Sequence, residues 1–244
     1  MNCTEEKVFR DQGQVHVWIF NLSGSDRALE HFRRQLSRDE IARSERFCFP
    51  HLQTSFVVAH GMLRNILASY LGLAPAALEF SYNQQGKPRL ADTGCRLRFN
   101  LSHSGTLGAC AVAADCDLGV DIEHMRQMAD LFDIARRFFS PEECGDLEAV
   151  PHDQQQPAFF NCWTRKEAYI KAVGGGLSIP LESFRVSLAP NEPARLISNC
   201  ENDAHRWNIQ EFDPGADYRG AVAYSGPPRD LVVRRIEAEE AAGI

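Results

Sequence analysis

Two acidic residues alternate in Gly119-Val120-Asp121-Ile122-Glu123. Every second side chain of a strand faces the same way, so Asp121 and Glu123 share one face while Leu118, Val120 and Ile122 share the other. At about 3.3 Å per residue their Cα atoms stand about 6.5 Å apart, close enough for two carboxylates to hold one hard divalent cation. The ordinary reading of such a strand is a solvated face, and the pattern alone does not displace it. A second set lies in Trp163-Thr164-Arg165-Lys166-Glu167-Ala168-Tyr169-Ile170-Lys171. On a helix, Trp163, Glu167 and Lys171 are successive i, i+4 neighbours. They form either a surface Glu–Lys pair beside a core tryptophan, or a third carboxylate aimed at Asp121 and Glu123 with lysines that attract phosphate.

Three more segments carry chemistry-bearing residues. In Phe99-Asn100-Leu101-Ser102-His103-Ser104-Gly105, Phe99 and Leu101 alternate inward and the strand runs out at His103. Ser102 and His103 point to opposite faces, which excludes a serine–histidine nucleophile pair. His103 is then a surface residue at a strand end or a ligand contact. Gly86-Lys87-Pro88 fixes one lysine in a rigid turn. Gly174-Gly175-Gly176 follows a helix instead of opening one, so it reads as a helix stop and not as a phosphate loop.

Elements must position these groups. The β-branched and aromatic run 15–20 predicts a strand, and Ser37-Arg38-Asp39-Glu40 a capping box that opens a short helix toward Phe47. A long amphipathic helix is predicted over 53–71, with Phe56, Leu63, Ile66, Leu67 and Tyr70 inward and Gly72 as its stop. Strands follow over 97–101, 107–113 and 118–123. Ser140, Pro141 and Glu143 cap a second helix, and a third runs from about 158 to 173. Further strands are predicted over 184–188, 207–212 and 220–224. Arg46-Phe47 precedes a long helix and later Ala111-Val112-Ala113; Arg137-Phe138-Phe139 precedes a helix and later Ala221-Val222-Ala223. This rhyme predicts a duplicated α+β fold, with halves 1–116 and 117–244 meeting near Asp115-Cys116-Asp117. The charged, Ala-rich tail 235–244 reads as loosely held.

The chain has 244 residues, 44% hydrophobic and 24% charged, with a net charge of −7. That composition is ordinary for a globular protein and opposes general nucleic-acid binding, which relies on phosphate neutralisation. No apolar run reaches the length of a membrane-spanning helix. Met1-Asn2-Cys3-Thr4-Glu5-Glu6-Lys7 is polar, unlike a secretory leader. The eight cysteines form no C-x-x-C pair, which argues against structural zinc, and Cys110 sits in an apolar run. Free buried thiols fit a reducing, cytoplasmic compartment.

Taken in order, Gly119-Val120-Asp121-Ile122-Glu123, Phe138-Phe139-Ser140 and Trp163-Thr164-Arg165-Lys166-Glu167-Ala168 closely resemble the signature motifs of 4′-phosphopantetheinyl transferases. Gly86-Lys87-Pro88 and Asn100-Leu101-Ser102-His103-Ser104-Gly105 match the same family's N-terminal half, so the resemblance spans roughly 46–184. Length and duplication resemble the monomeric, surfactin-synthetase-activating (Sfp-type) branch. The resemblance implies a pseudo-dimer of two similar α+β halves with the active site at the seam. It implies a Mg²⁺-dependent enzyme that moves the phosphopantetheine arm of coenzyme A onto a serine of an apo acyl- or peptidyl-carrier protein, releasing 3′,5′-ADP. By motif position, Asp121, Glu123 and Glu167 would bind Mg²⁺ against the CoA pyrophosphate. Lys171 would neutralise that pyrophosphate, with Lys166 supporting the site, and Lys87, Ser102 and His103 would hold the 3′-phosphate and nucleotide end. Glu167 resembles the family's proposed base, acting directly or through a water, which makes Asp121, Glu167 and Lys171 the catalytic set.

There is one departure. Family members place a cation before or at the start of the first long helix, and Pro50, His51, Leu52, Gln53, Thr54 and Ser55 supply none. Arg43, Arg46 and Arg64 are the candidate substitutes. Two other functions fit parts of the pattern. A Mg²⁺-dependent phosphodiesterase would want a basic groove, which the net charge opposes. A non-catalytic CoA- or carrier-binding relative would not need the full Asp121, Glu123, Glu167 and Lys171 set. The segment 124–139, with Arg126, Arg136 and Arg137 beside Met125, Met128, Leu131 and Phe132, either packs a short helix under the seam or docks the carrier.

Overall fold

A computed structural model describes residues 13–92 and 94–243; the polar start 1–7 with Cys3, and Ile244, lie outside the described residues. The first half runs β1 (Gln14–Asn21), α1 (Asp26–Gln35), α2 (Arg38–Ser44), α3 (Pro50–Leu71), β2 (Phe80–Tyr82), β3 (Pro88–Leu90), β4 (Leu97–Ser104) and β5 (Leu107–Ala114). The second runs β6 (Leu118–His124), α4 (Leu131–Phe138), α5 (Pro141–Ala149), α6 (His152–Val173), β7 (Arg185–Val186), β8 (Leu196–Ser198), β9 (Trp207–Phe212), β10 (Tyr218–Ser225), β11 (Asp230–Arg235) and α7 (Ala238–Ala241). The strands form a sheet ordered β11-β1-β5-β4, a sheet ordered β6-β10-β9, and the two-stranded pairs β2-β3 and β7-β8.

Strand alternation explains the layering. Cys110, Val112 and Ala114 of β5 turn with Phe20 and Phe99 toward α3, while Ala109, Ala111 and Ala113 turn with Val15, Val17 and Ile19 the other way. That second face meets Leu118, Val120, Ile122, Val222 and Tyr224 of the other sheet, whose far side packs Ile209, Ala221 and Ala223 under α6. The order is helix, sheet, sheet, helix. Each sheet buries apolar side chains on both faces, and each large aliphatic side chain so buried contributes about 1.5–3 kcal/mol.

Both halves repeat one buried device. Ser37 and Glu40 close a capping box on α2, and Ser140 and Glu143 close one on α5. Each box acid takes a cation from the following long helix. Arg64 of α3 donates to Glu40 at 2.6 and 2.9 Å, and reaches the Pro75 and Leu78 carbonyls. Lys166 of α6 lies 2.7 Å from Glu143 and donates to the Leu181 and Phe184 carbonyls. This equivalence makes the molecule a pseudo-dimer, in a register different from the expected rhyme. Arg46-Phe47 follows its capping box, whereas Arg137-Phe138-Phe139 precedes its own.

The tail corrects an expectation. It is not loose: β11 pairs in parallel with β1, Ala238 is fully buried in the first half's core, and Glu239 accepts the Ser25 amide. The segment that ends the second half thus clasps the first. Helices α3 and α6 begin earlier than predicted, α3 with Pro50 at its first turn and α6 with Pro157 inside its opening turns.

Candidate active site

The site forms where edge strands β4 and β6 run side by side without sharing a ladder. Side chains bridge them instead. Asn100 Oδ1 accepts the Val120 amide at 2.9 Å, Ser102 Oγ donates to Asp121 Oδ1 at 2.9 Å, and Ser104 Oγ donates to Glu123 at 2.7 Å while accepting the His124 amide. The polar alternation 100, 102, 104 was the sequence signal for this seam, and only Ser102 was singled out by motif. Gly119 completes the placement, because a methyl there would overlap Ala168 O and Ala172 N. Its absence lets α6 lie directly on β6, with Lys171 over the next residue on that face, Asp121.

Asp121 is 3% exposed, so the solvated-face reading of this strand fails. Its Oδ1 accepts Lys171 Nζ at 2.6 Å, and Lys171 also donates to Ser102 at 3.0 Å. Its Oδ2 is buried without a hydrogen-bond partner among the described residues. Burial raises the Asp121 pKa, against the pull of Lys171 and Ser102. Burial likewise raises that of Glu123, with the Asp121 charge adding to it and Ser104 opposing. Glu167, one turn before Lys171, is pushed up to about 6 by burial and then by Asp121 and Glu123. His103 stands on the opposite face of β4, and its pKa is lowered by the surrounding protein, then by Lys171 and His60.

The structure therefore gathers Ser102, Asp121, Glu123, Glu167 and Lys171 at one end of the seam. Among the described residues no three metal-ligating side chains already form a closed metal cluster. The residues nevertheless fit a hard divalent cation: the Asp121 charge raises the pKa of both Glu123 and Glu167, and one buried Asp121 carboxylate oxygen has no partner among the described residues.

Two lysines expected at the ligand already have buried partners. Lys166 is fully buried, and its amine is consumed by Glu143 and two carbonyls on the far side of α6. Lys87 sends its amine into the seam, donating to Leu118 O and Ala172 O, where burial lowers its pKa to about 8. It ties the β2–β3 turn to the last turn of α6. Ser102 is also buried, and its hydroxyl orients the Asp121–Lys171 pair. Beside Glu123 opens an apolar pocket of about 240 Å³, lined by Met128, Ile134, Phe138 and Trp163 with Arg126 at its edge, which sequence reasoning missed.

A two-half α+β chain carries an acidic cluster and a lysine at the seam shared between its halves. Comparison with known proteins names the class. Residues 21–116 match the family model of the 4′-phosphopantetheinyl transferase N-terminal region, and residues 117–223 that of the 4′-phosphopantetheinyl transferase superfamily. The 4′-phosphopantetheinyl transferase HetI of Nostoc sp. is 41% identical over 87% of this chain and 88% of its own. Sfp of Bacillus subtilis is 31% identical over 84% of this chain and 89% of its own. The chain belongs to the 4′-phosphopantetheinyl transferases, in the Sfp-type branch that the motifs implied.

Proposed function

We propose that the seam transfers the phosphopantetheine arm of coenzyme A to a serine of an apo carrier protein, with Asp121, Glu123 and Glu167 holding Mg²⁺ against the pyrophosphate. The observation that carries this reading is Asp121, buried between Lys171 and Ser102 with one carboxylate oxygen left unpartnered. Bound there, the cation would draw charge from the phosphate oxygens. Lys171, already at the carboxylate cluster, turns its ammonium to the pyrophosphate and neutralises charge on the departing 3′,5′-ADP. Glu167, ionised above a pKa of about 6, accepts the serine proton, directly or through a water. The serine oxygen bonds to the β-phosphorus as the bond to the α-phosphate oxygen breaks. The residues position and cancel charge, which is what phosphoryl-type transfer asks of a protein.

His103 contacts the 3′-phosphate end, and the apolar pocket beside Glu123 receives the pantetheine arm. The exposed Arg126 and Arg137 form the docking rim for the carrier, with Leu131 of α4 packed beneath. Arg136 is already paired with Asp133. We assign the halves as 1–116 and 117–244, with 230–243 clasping back, and the active form as a cytoplasmic monomer that binds no nucleic acid. Among the described residues no helix is long and apolar enough to cross a membrane. Calorimetric titration of CoA with and without Mg²⁺ tests the metal assignment. Tighter binding with the metal is expected, and equal affinity after chelation contradicts it.

A further inference from the structure

The first half reaches the acidic cluster of the second through one turn. Strand β4 ends at Ser104 and β5 begins at Leu107, and the turn between them rests on the end of the other sheet. Tyr218 of β10, 9% exposed, accepts the Thr106 amide on its hydroxyl at 3.0 Å, and the Thr106 hydroxyl stands 3.1 Å from it. The Tyr218 ring lies 4.9 Å from that of His124, its ladder partner on β6. Gly105 permits this seating. Its φ of +57° is left-handed, and a Cβ there would stand 2.6 Å from the Tyr218 hydroxyl and 3.2 Å from the His124 Cβ. The turn is therefore nested on two side chains of the second half.

Ser104 is the residue that this nesting brings to Glu123. Its Oγ lies 2.7 Å from Glu123 Oε2 and 3.1 Å from the His124 amide nitrogen. A backbone N–H can only donate, so the hydroxyl accepts there, and its single proton goes to the carboxylate. The direction of this hydrogen bond is thus fixed by the backbone of β6 itself. Among the described residues it is the one hydrogen bond that the Glu123 carboxylate accepts. Oε2 is taken, and Oε1 is the oxygen left to a cation. Asp121 is held in the same way from the same strand, by Ser102 two residues earlier on that face of β4. Asp121 also has Lys171, whereas the longer and more flexible Glu123 depends on Ser104 for its orientation.

We propose that Ser104 is a positioning residue of the metal site: its hydroxyl, fixed by the His124 amide and the turn seated on Tyr218, holds Glu123 in the orientation that binds the divalent cation. This rests on the metal reading above and extends it to a first-half residue that acts only through Glu123. A carboxylate already held by one oxygen gives up little freedom when a cation arrives at the other. The second half thus carries the ligands, and the end of β4 keeps them aimed.

The test is calorimetric titration of CoA, with Mg²⁺ and after chelation, into wild type, Ser104→Ala and Ser104→Thr. The quantity read is the ratio of the two affinities. Ser104→Ala is expected to cut that ratio about tenfold, the scale on which losing the partner of a metal ligand acts, while affinity after chelation stays at the wild-type value. Ser104→Thr keeps the donor and should restore the ratio. Affinity after chelation also reports a folded seam, so a Ser104→Ala protein that loses it equally in both conditions marks a residue that only joins the halves, and overturns the proposal. An unchanged ratio in Ser104→Ala, or a loss that Ser104→Thr does not restore, overturns it too. Wild type that binds CoA equally with and without Mg²⁺ overturns the metal reading itself and the proposal with it, an outcome read before any variant is made.

Discussion

Asp121→Asn separates what the buried carboxylate does for the fold from what it does for the reaction. The substitution keeps the shape and leaves Oδ1 to accept from Lys171 at 2.6 Å and Ser102 at 2.9 Å. It removes the charge and replaces the unpartnered Oδ2 with an amide nitrogen. Burial raises the pKa of Asp121 despite those donors, so the ionised form is disfavoured in the fold. The sign follows: an acid whose folded pKa lies above its unfolded value destabilises the protein once both states are ionised. Neutralising it at neutral pH should therefore leave stability within about 1 kcal/mol of wild type, or raise it, because Lys171, with its side chain 27% exposed, can reach water. Transfer should fall by about a thousandfold, about 4 kcal/mol, for loss of a metal-ligating charge. Denaturant unfolding measures the first quantity, and transfer of a labelled arm from a CoA conjugate to an apo carrier measures the second. A loss of more than about 2 kcal/mol in stability, or a near-normal rate, would refute the reasoning.

Other expectations follow from the same geometry. Lys166→Met strands the buried Glu143 charge and should cost about 3–5 kcal/mol of stability, while activity per folded molecule stays near wild type; a selective loss of CoA affinity would return Lys166 to the site. Burial alone would raise the Glu40 pKa, but hydrogen bonds from His60, Arg64 and the Ser37 amide bring it from 4.5 to about 2. Its contribution is present above its unfolded pKa and is lost as pH falls through the folded one, so Glu40→Gln should cost about 2–3 kcal/mol at about pH 7 and much less at about pH 2, read by denaturant titration. Glu167 is raised from 4.5 to about 6, so protonating it favours the ligand-free fold in that window and opposes cation binding. Mg²⁺ affinity by calorimetry should fall as pH drops through this range, and a flat profile would remove Glu167 from the metal set.

How much of this was legible in the sequence depends on the kind of contact. Periodicity located both capping boxes and the strands that line the seam, because each obeys a local rule of spacing. It also put Asp121 and Glu123 on one face, and Glu167 and Lys171 one turn apart. It could not tell that α6 lies on that face, since the permission comes from a missing side chain at Gly119. The buried partners of Lys166 and Lys87 were hidden for a related reason. Motif position says that a lysine is needed, but not that its amine ends on buried carbonyls. The clasp of β11 and α7 was hidden because a short parallel edge strand and a four-residue helix are fixed by tertiary contacts and carry little intrinsic pattern. His60 escaped notice because nothing in its spacing points to Glu40, twenty residues earlier.

The central claim is that the seam between β4 and β6 performs the transfer. Mass spectrometry of a panel of apo carrier proteins, incubated with CoA and Mg²⁺ and with wild type or Asp121→Asn, tests it most directly. A gain of one phosphopantetheine on a carrier serine with wild type, abolished by chelation and by Asp121→Asn, is the predicted result. No gain on any carrier, or a gain that Asp121→Asn leaves intact, would contradict the account.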